Sequence, residues 1–347
     1  MENTDYFDMR NLAPPNADPD SCPVSGCTAI LGTAESQWGE MPYCPTHRIR
    51  IHGGSRTFVY YNGSDSVSKR AAALRNIVFE PSYFGKHILG HAAKAETHRI
   101  CHETSEDALT WNVFSQLMTF GVLPSLLSSL AGLSTETEPE LYLWGLRIRP
   151  HESEAQTTFP ALQEARNTFE RGITNYLTEP DIMLYVPRHV LLLIEAKFTS
   201  GNTIAVKTTS QDVTGEKPKS LEGVLRRYAS PELQSIMQRA RSTTTPFYSQ
   251  LYRNLVFAIH MADKLAVPWG LANLVSKMQF DKQKSNAEFQ NPTQFICDLL
   301  PSKLRNSFSF YSWEQLYADH VAKTAALTDL AAYMYNKSAN GVRALGV

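Results

Sequence analysis

Two carboxylates and an ammonium group fall at the ends of two neighbouring apolar runs in the middle of the chain. Asp181 directly precedes the run 182–186, and Glu195 and Lys197 close the run 190–197. Because side chains alternate between the two faces of a strand, Glu195 and Lys197 point to the same side. A glutamate and a lysine at the end of a buried strand are costly unless they are paired or bind a metal ion.

The two runs are joined by residues 187–189 and predict a β-hairpin. An antiparallel hairpin can bring the start of its first strand beside the end of its second. Carboxylate oxygens suit Mg²⁺, which also binds phosphate oxygens and lowers the pKa of bound water. An adjacent lysine orients or activates that water and offsets developing negative charge. The alternative interpretation is a salt-bridged structural cluster of Asp181, Glu195 and Lys197.

This hairpin resembles the catalytic core of the PD-(D/E)xK nuclease superfamily. Pro180-Asp181 opens its first strand, and Glu195-Ala196-Lys197 ends its second. The resemblance implies an α/β fold with a restriction-endonuclease-like core, a mixed central sheet flanked by helices. It also implies a nuclease dependent on Mg²⁺ or Mn²⁺, in which Asp181 and Glu195 hold the ion and the Ala196 carbonyl adds a ligand. Lys197 would position or activate the water, which attacks in line and leaves a 5′-phosphate.

The elements around the hairpin follow the order of that superfamily's core over about residues 104–276. The sequence predicts a helix at 104–117, strands at 141–148 and 269–275, and a helix at 247–265. The first helix is predicted to begin with an approximate capping box of Thr104 and Asp107. In this superfamily the helix before the first strand often carries an acid that adds to the metal site. Glu106 is the candidate, and a solvent-facing first-turn acid is the equal alternative.

A second group of candidate ligand residues, three cysteines and a histidine, lies near the N-terminus; it is called the Cys/His constellation below. Cys22 and Cys27 are separated by four residues, and Cys44 and His47 by two. Thiolates and an imidazole in a four-ligand set are what a structural Zn²⁺ requires, and four protein ligands leave no open position for catalysis. The region has few large aliphatic residues, so it would need a bound metal ion to stabilise its fold. The pattern predicts a zinc-finger-like module over residues 21–65.

The composition is that of a globular protein with an ordinary 43% of hydrophobic residues. The net charge of −1 gives no evidence of nucleic-acid binding by itself. The charge is unevenly placed, since residues 136–181 hold nine acids and four bases, and residues 197–262 hold nine bases and four acids. A polyanion could lie along the basic part, or these could be scattered solvated residues. With no targeting or membrane segment visible, we expect a cytoplasmic protein with reduced thiols and no membrane partner.

The predicted organisation has five parts. They are a flexible tail (1–20), the zinc-finger-like module (21–65), a helical connector (66–103), the nuclease core (104–276) and a C-terminal strand and helix extension (277–347).

The sequence thus predicts a metal-dependent DNA endonuclease, of a restriction or phage-defence type by family analogy. The expected partners are double-stranded DNA and, because many members of the superfamily are homodimers, a second copy of the chain. Two alternatives remain: a structure-specific or RNA-directed nuclease, and a non-catalytic zinc-containing DNA-binding protein.

Overall fold

A computed structural model describes most of the chain. The described residues are 20–36, 39–52, 57–60, 66–89, 97–149, 157–174, 177–205, 216, 218, 220–244, 246–277 and 292–340. The predicted tail, apart from Asp20, lies outside these residues.

A small antiparallel sheet forms the N-terminal part. Its strands, in spatial as well as chain order, are β1 (Gly32–Ser36), β2 (Gly39–Cys44), β3 (Ile49–Ile51) and β4 (Phe58–Val59). Cys22 and Cys27 precede β1, Cys44 ends β2, and His47 lies in the turn before β3. The chain reversals of this sheet therefore bring the two halves of the Cys/His constellation together.

Short helical segments follow this sheet. They are α1 (Ser66–Arg75), α2 (Pro81–Tyr83), a π-helical turn over Phe84–Ile88, and α3 (Thr97–Ile100). Pro81 occupies the first position of α2, where its missing N–H costs no helical hydrogen bond. These segments carry the chain from the small sheet to the larger one.

A six-stranded mixed sheet lies at the centre, in the order β10-β9-β8-β7-β5-β6. The strands are β5 (Glu140–Leu143), β6 (Leu146–Arg147), β7 (Ile182–Val186), β8 (Val190–Lys197), β9 (Trp269–Val275) and β10 (Phe308–Ser312). β8 pairs antiparallel with β7 and parallel with β9, and β9 pairs parallel with β10. Every residue of β8 is buried, which accounts for its nearly continuous apolar run.

Helices cover both faces of the central sheet. Packed on one face are α4 (Glu106–Thr119), α5 (Leu123–Ala131), α11 (Trp313–Leu316) and α12 (Thr328–Asn340). Packed on the other are α6 (Pro160–Phe169), α7 (Leu221–Arg227), α8 (Gln234–Ser242), α9 (Ser249–Leu265) and α10 (Pro292–Leu299). Leu192 and Ile194 enter the first core, and Leu191 and Leu193 the second, as strand alternation requires. The fold is mixed α/β with a mixed sheet between helices, as predicted.

The small N-terminal sheet shares a core with the first face of the central sheet. Ile49 and Phe58 belong to the same buried cluster as Leu109 and Ile194. Arg75 of α1 joins the two parts by donating to the carbonyls of His47, at 2.6 Å, and Arg48, at 3.1 Å. The Cys/His region is thus packed onto the body of the protein.

Two local predictions were wrong. The single strand predicted at 141–148 is a hairpin, because Trp144 and Gly145 turn the chain with φ values of 53° and 84°. Two consecutive residues with positive φ are typical of a tight hairpin turn. The helix predicted from residue 104 begins at Glu106, and its N-cap is Ser105, whose side chain accepts a hydrogen bond from Ala108 N.

Among the helices of the described residues, no single one has both the length and the apolar character needed to cross a membrane. α4 and α5 meet those criteria only as a pair, and they are bent by 112° with respect to each other.

Candidate functional site

The end of β8 places a glutamate and a lysine on one face of the central sheet. The Glu195 side chain is completely buried, and its Oε1 forms an ion pair with Lys197 Nζ. Its other oxygen, Oε2, accepts a hydrogen bond from Asn254 Nδ2 of α9 at 2.6 Å. A buried carboxylate requires such partners, and here they come from its own strand and from the covering helix.

Asp181 reaches the same place from the neighbouring strand. The antiparallel register pairs Ile182 with Ile194, so the residue before β7 lies beside the end of β8. Asp181 Oδ2 accepts a hydrogen bond from Ala196 N at 2.9 Å and lies 3.8 Å from Lys197 Nζ. The hairpin therefore brings the two strand-end carboxylates together, as its sequence predicts.

Glu106 joins the cluster from the first turn of α4. Its Oε2 accepts hydrogen bonds from Phe198 N at 2.7 Å and from Ser200 Oγ at 3.1 Å. Its Oε1 lies 3.6 Å from Lys197 Nζ. Glu106 thus contacts Lys197 and two residues that follow the hairpin, and its side chain is 26% exposed.

Four oxygens from separate groups surround the Lys197 ammonium. They belong to Glu106, Asp181, Glu195 and the carbonyl of Ala196, the last at 3.2 Å from Nζ. The side chains of Glu106 and Asp181 are 26% and 16% exposed, whereas that of Glu195 is fully buried. The cluster is therefore closed on the Glu195 side and open to solvent on the Glu106 side.

The ionisation of these groups is strongly coupled. Burial raises the pKa of Glu195 to about 8, and Asp181 adds to this effect while Lys197 opposes it. Burial also raises the pKa of Glu106, against the opposing charge of Lys197. Burial alone would lower the pKa of Lys197, but the surrounding carboxylates raise it well above its ordinary value. Lys197 is thus positively charged at neutral pH. If all three carboxylates were ionised, the cluster would carry a net charge of −2.

The Cys/His constellation forms a compact second cluster. Cys22 Sγ and Cys44 Sγ lie 3.4 and 3.5 Å from His47 Nδ1, and Cys27 Sγ lies 3.8 Å from Cys44 Sγ. Tetrahedral zinc with Zn–S of about 2.3 Å and Zn–N of about 2.0 Å has sulfur–sulfur edges of about 3.8 Å and sulfur–nitrogen edges of about 3.5 Å. These four residues could therefore hold a metal such as zinc.

The two clusters are linked through the backbone that precedes α4. Tyr60 N donates to Cys101 O at 3.0 Å, and Glu103 N donates to Phe58 O at 2.9 Å, so the end of the small sheet pairs with residues 101–103. Lys337 Nζ of α12 donates to Glu103 O from the other side. The segment that leads into Glu106 is therefore held between the N-terminal sheet and the C-terminal helix.

Two amides beside Glu195 were missed by the sequence reasoning. Asn254 lies within α9 and is almost fully buried. Asn273 of β9 stands opposite Glu195 in the parallel register, is fully buried, and has no hydrogen-bond partner for its side chain among the described residues. An asparagine inside an otherwise apolar helix face or buried strand is the signal that could have identified both.

Comparisons of the chain with protein-family models, with curated proteins and with solved structures found no match in any of the three.

Proposed function

We propose that the protein is a metal-dependent nuclease that hydrolyses phosphodiester bonds in DNA and has a restriction-endonuclease-like core. The observation that carries the proposal is the convergence of Glu106, Asp181 and Glu195 on Lys197. Asp181 and Glu195 come from the hairpin of β7 and β8, whereas Glu106 comes from α4, which is distant from that hairpin in sequence. One lysine needs only one carboxylate to form a salt bridge. Three carboxylates from separate elements at one lysine are better explained by a site for a divalent ion.

Charge balance supports a divalent ion at this cluster. With all three carboxylates ionised, the group carries two negative charges more than Lys197 neutralises. Burial makes such an excess costly: it raises the pKa values of Glu106 and Glu195, and the charge of Asp181 adds to both shifts. Mg²⁺ or Mn²⁺ supplies the missing charge and prefers oxygen ligands.

Each residue then has a definite role. Asp181 and Glu195 hold the ion, Glu106 and the Ala196 carbonyl complete the set of protein oxygens, and Asn254 orients the Glu195 carboxylate. The bound ion supplies a water of lowered pKa and polarises the phosphate. Lys197, which already lies among these carboxylates, would position the attacking water as a positively charged hydrogen-bond donor.

The second metal in the proposal is structural zinc at Cys22, Cys27, Cys44 and His47. Burial raises the pKa of the Cys22 thiol, and the neighbouring Cys44 adds to this effect, so a cation is needed to hold these sulfurs as thiolates. The zinc would fix the sheet that pairs with residues 101–103 and, through them, the start of α4.

Double-stranded DNA is the proposed substrate, and a homodimer the proposed assembly. Arg226, Arg239 and Arg241 are exposed on α7 and α8, in the basic part of the sequence that begins at Lys197. Their positive charges are of the sign that attracts a phosphate backbone, and Arg241 is also paired with Glu222 at 3.2 Å. A role in restriction or phage defence, and a cytoplasmic location, complete the proposal.

The decisive assay is cleavage of supercoiled plasmid by the zinc-loaded protein, with and without added Mg²⁺ or Mn²⁺. The test variants are Asp181→Asn and Lys197→Met. The matched controls are Glu164→Gln and Lys264→Met, which alter an exposed ion pair on α6 and α9. We expect cleavage only with added metal, unchanged in the controls and reduced about 100-fold or more in both test variants, since a preorganised charge-stabilising group is worth about that factor.

Other results would favour the alternatives. DNA binding without cleavage by folded wild-type protein in either metal would support a non-catalytic zinc-containing DNA-binding protein. Cleavage of RNA or of branched DNA, but not of plasmid, would support an RNA-directed or structure-specific nuclease.

A further inference from the structure

A buried polar network holds the chain just before Asp181, and none of its members takes part in the roles assigned above. Its centre is Glu170, which caps the C-terminus of α6 and is only 2% exposed. A carboxylate at such a depth is costly unless several donors satisfy it. The contacts of Glu170 are therefore informative about why it is there.

Glu170 receives three hydrogen bonds. Its Oε2 accepts from Thr178 N at 2.7 Å, and its Oε1 accepts from the Thr178 hydroxyl and from Tyr228 Oη at 2.6 Å. Tyr228 caps α7 and is fully buried. Two of the three bonds thus hold one residue of the incoming segment, and the third joins Glu170 to the neighbouring helix.

Arg166 holds the same residue from one helical turn earlier. Its Nε donates to Thr178 O at 3.0 Å, and its Nη2 pairs with Glu179 Oε1 at 3.3 Å. The backbone N–H and the backbone carbonyl of Thr178 are both bound by charged side chains of one helix. Charge-assisted hydrogen bonds of this kind are about twice as strong as neutral ones.

The position of Thr178 controls that of Asp181 because few rotatable bonds separate them. Only Glu179 and Pro180 intervene, and the proline ring fixes its own φ. On the far side, Asp181 is bound by Trp144 N, which donates to its carbonyl at 3.1 Å, and by Ala196 N at its carboxylate. A shift at Thr178 is therefore transmitted to the Asp181 carboxylate.

We infer that Glu170, together with Arg166 and Tyr228, is a positioning residue for the divalent-metal site and acts through the backbone that carries Asp181. This inference rests on the proposed function. Residues that orient metal ligands typically contribute about 10- to 100-fold in metal affinity or activity. The network therefore determines how tightly the catalytic ion is bound.

The test is Mn²⁺ binding by the full-length, zinc-loaded chain, measured by electron paramagnetic resonance titration for the wild type, Glu170→Gln and Glu164→Gln. Glu164→Gln makes the same change on an exposed residue of the same helix. We expect Glu170→Gln to weaken Mn²⁺ binding about tenfold, and the control to leave it unchanged. Plasmid cleavage by Glu170→Gln should recover to nearly the wild-type maximum at saturating Mn²⁺, which a general loss of folding would not allow.

Tyr228→Phe provides a second, milder variant that removes a single hydrogen bond and decides the question if Glu170→Gln does not fold. We expect it to weaken Mn²⁺ binding about threefold. Unchanged Mn²⁺ affinity in the folded variants, or lost cleavage that saturating Mn²⁺ does not restore, would overturn the inference alone. A wild-type chain that binds no Mn²⁺ would overturn the proposed function and the inference with it.

Discussion

Replacing Glu195 by glutamine should stabilise the zinc-loaded protein at pH 8 when no other divalent ion is present, although it removes a carboxyl group in contact with Lys197. Folding raises the pKa of Glu195 from its ordinary 4.5 to about 8, chiefly because the side chain is buried. Between those values the unfolded chain is ionised while the folded chain still holds a proton. The free energy of unfolding therefore falls as pH rises from about 4.5 to about 8, and Glu106, with a pKa shifted in the same direction, adds to the fall.

The size of the change in stability follows from the shift in the pKa of Glu195. At about 1.4 kcal/mol per pKa unit, Glu195 costs about 4 kcal/mol at pH 8 and about 1 kcal/mol at pH 5. Glutamine is not ionised and avoids this cost, while Lys197 retains the carboxylates of Glu106 and Asp181. For 347 residues with an unfolding entropy of about 2.1 cal/mol/K each, the gain at pH 8 corresponds to about 5 °C in Tm.

Thermal unfolding of zinc-loaded protein without other divalent ions provides the assay. Glu195→Gln should unfold about 5 °C above the wild type at pH 8, and the difference should nearly vanish at pH 5. Added Mg²⁺ should raise the Tm of the wild type but not that of the variant. A variant less stable than the wild type at both pH values would refute the reasoning, because it would identify Glu195 as a stabilising partner of Lys197.

Three further predictions concern the elements that support the site. Lys337→Met should lower the free energy of unfolding by about 1–3 kcal/mol in urea titrations because it leaves the buried backbone carbonyl of Glu103 without its side-chain donor, and an unchanged free energy would show that this hydrogen bond contributes nothing. A Cys44→Ser variant should bind less than one zinc per chain by metal analysis and should also bind Mn²⁺ more weakly, because the Cys/His sheet pairs with the backbone before α4; unchanged Mn²⁺ affinity in the zinc-depleted variant would contradict this link. Gly145→Ala should destabilise the protein by about 1–3 kcal/mol in urea titrations, since its Cβ would lie 2.6 Å from Leu162 Cδ2 at a φ of +84°; a neutral effect would show that the turn relaxes.

The central hairpin was predictable because local rules determine it. A continuous apolar run indicates a strand that is buried on both faces, and alternation puts Glu195 and Lys197 on one side. The register, which pairs Ile182 with Ile194, needs only the short turn at 187–189, and it puts Asp181 opposite Glu195. The position of the strand at 269–275 was predicted for the same reason, and it is present as β9.

The partners of the site from distant parts of the chain were not predictable in the same way. Asn254 meets Glu195 only because α9 packs on the face of the sheet that carries Glu195. Glu170 is one of many acids in the sequence, and only the packing of α6 against Thr178 distinguishes it. The sequence left the direction of the Glu106 side chain open, because an acid in the first turn of a helix can either face solvent or point toward the site. Its contact with Phe198 N joins residues that are far apart in sequence.

Local turn chemistry accounts for the remaining differences. Trp144 in a left-handed conformation divides a predicted strand into two, although apolar residues continue on both sides of the turn. Ser105, rather than Thr104, caps α4 because its oxygen is the one placed to accept from Ala108 N.

The most direct test of the central claim is to locate a divalent ion by anomalous diffraction from crystals of the zinc-loaded protein grown with Mn²⁺. We predict a manganese peak within about 2.0–2.6 Å of carboxylate oxygens of Asp181 and Glu195, with Lys197 displaced to the side, and a separate zinc peak among Cys22, Cys27, Cys44 and His47. Absence of the manganese peak at saturating Mn²⁺, with Lys197 still enclosed by the carboxylates, would contradict the claim and identify the cluster as a structural ion-pair network.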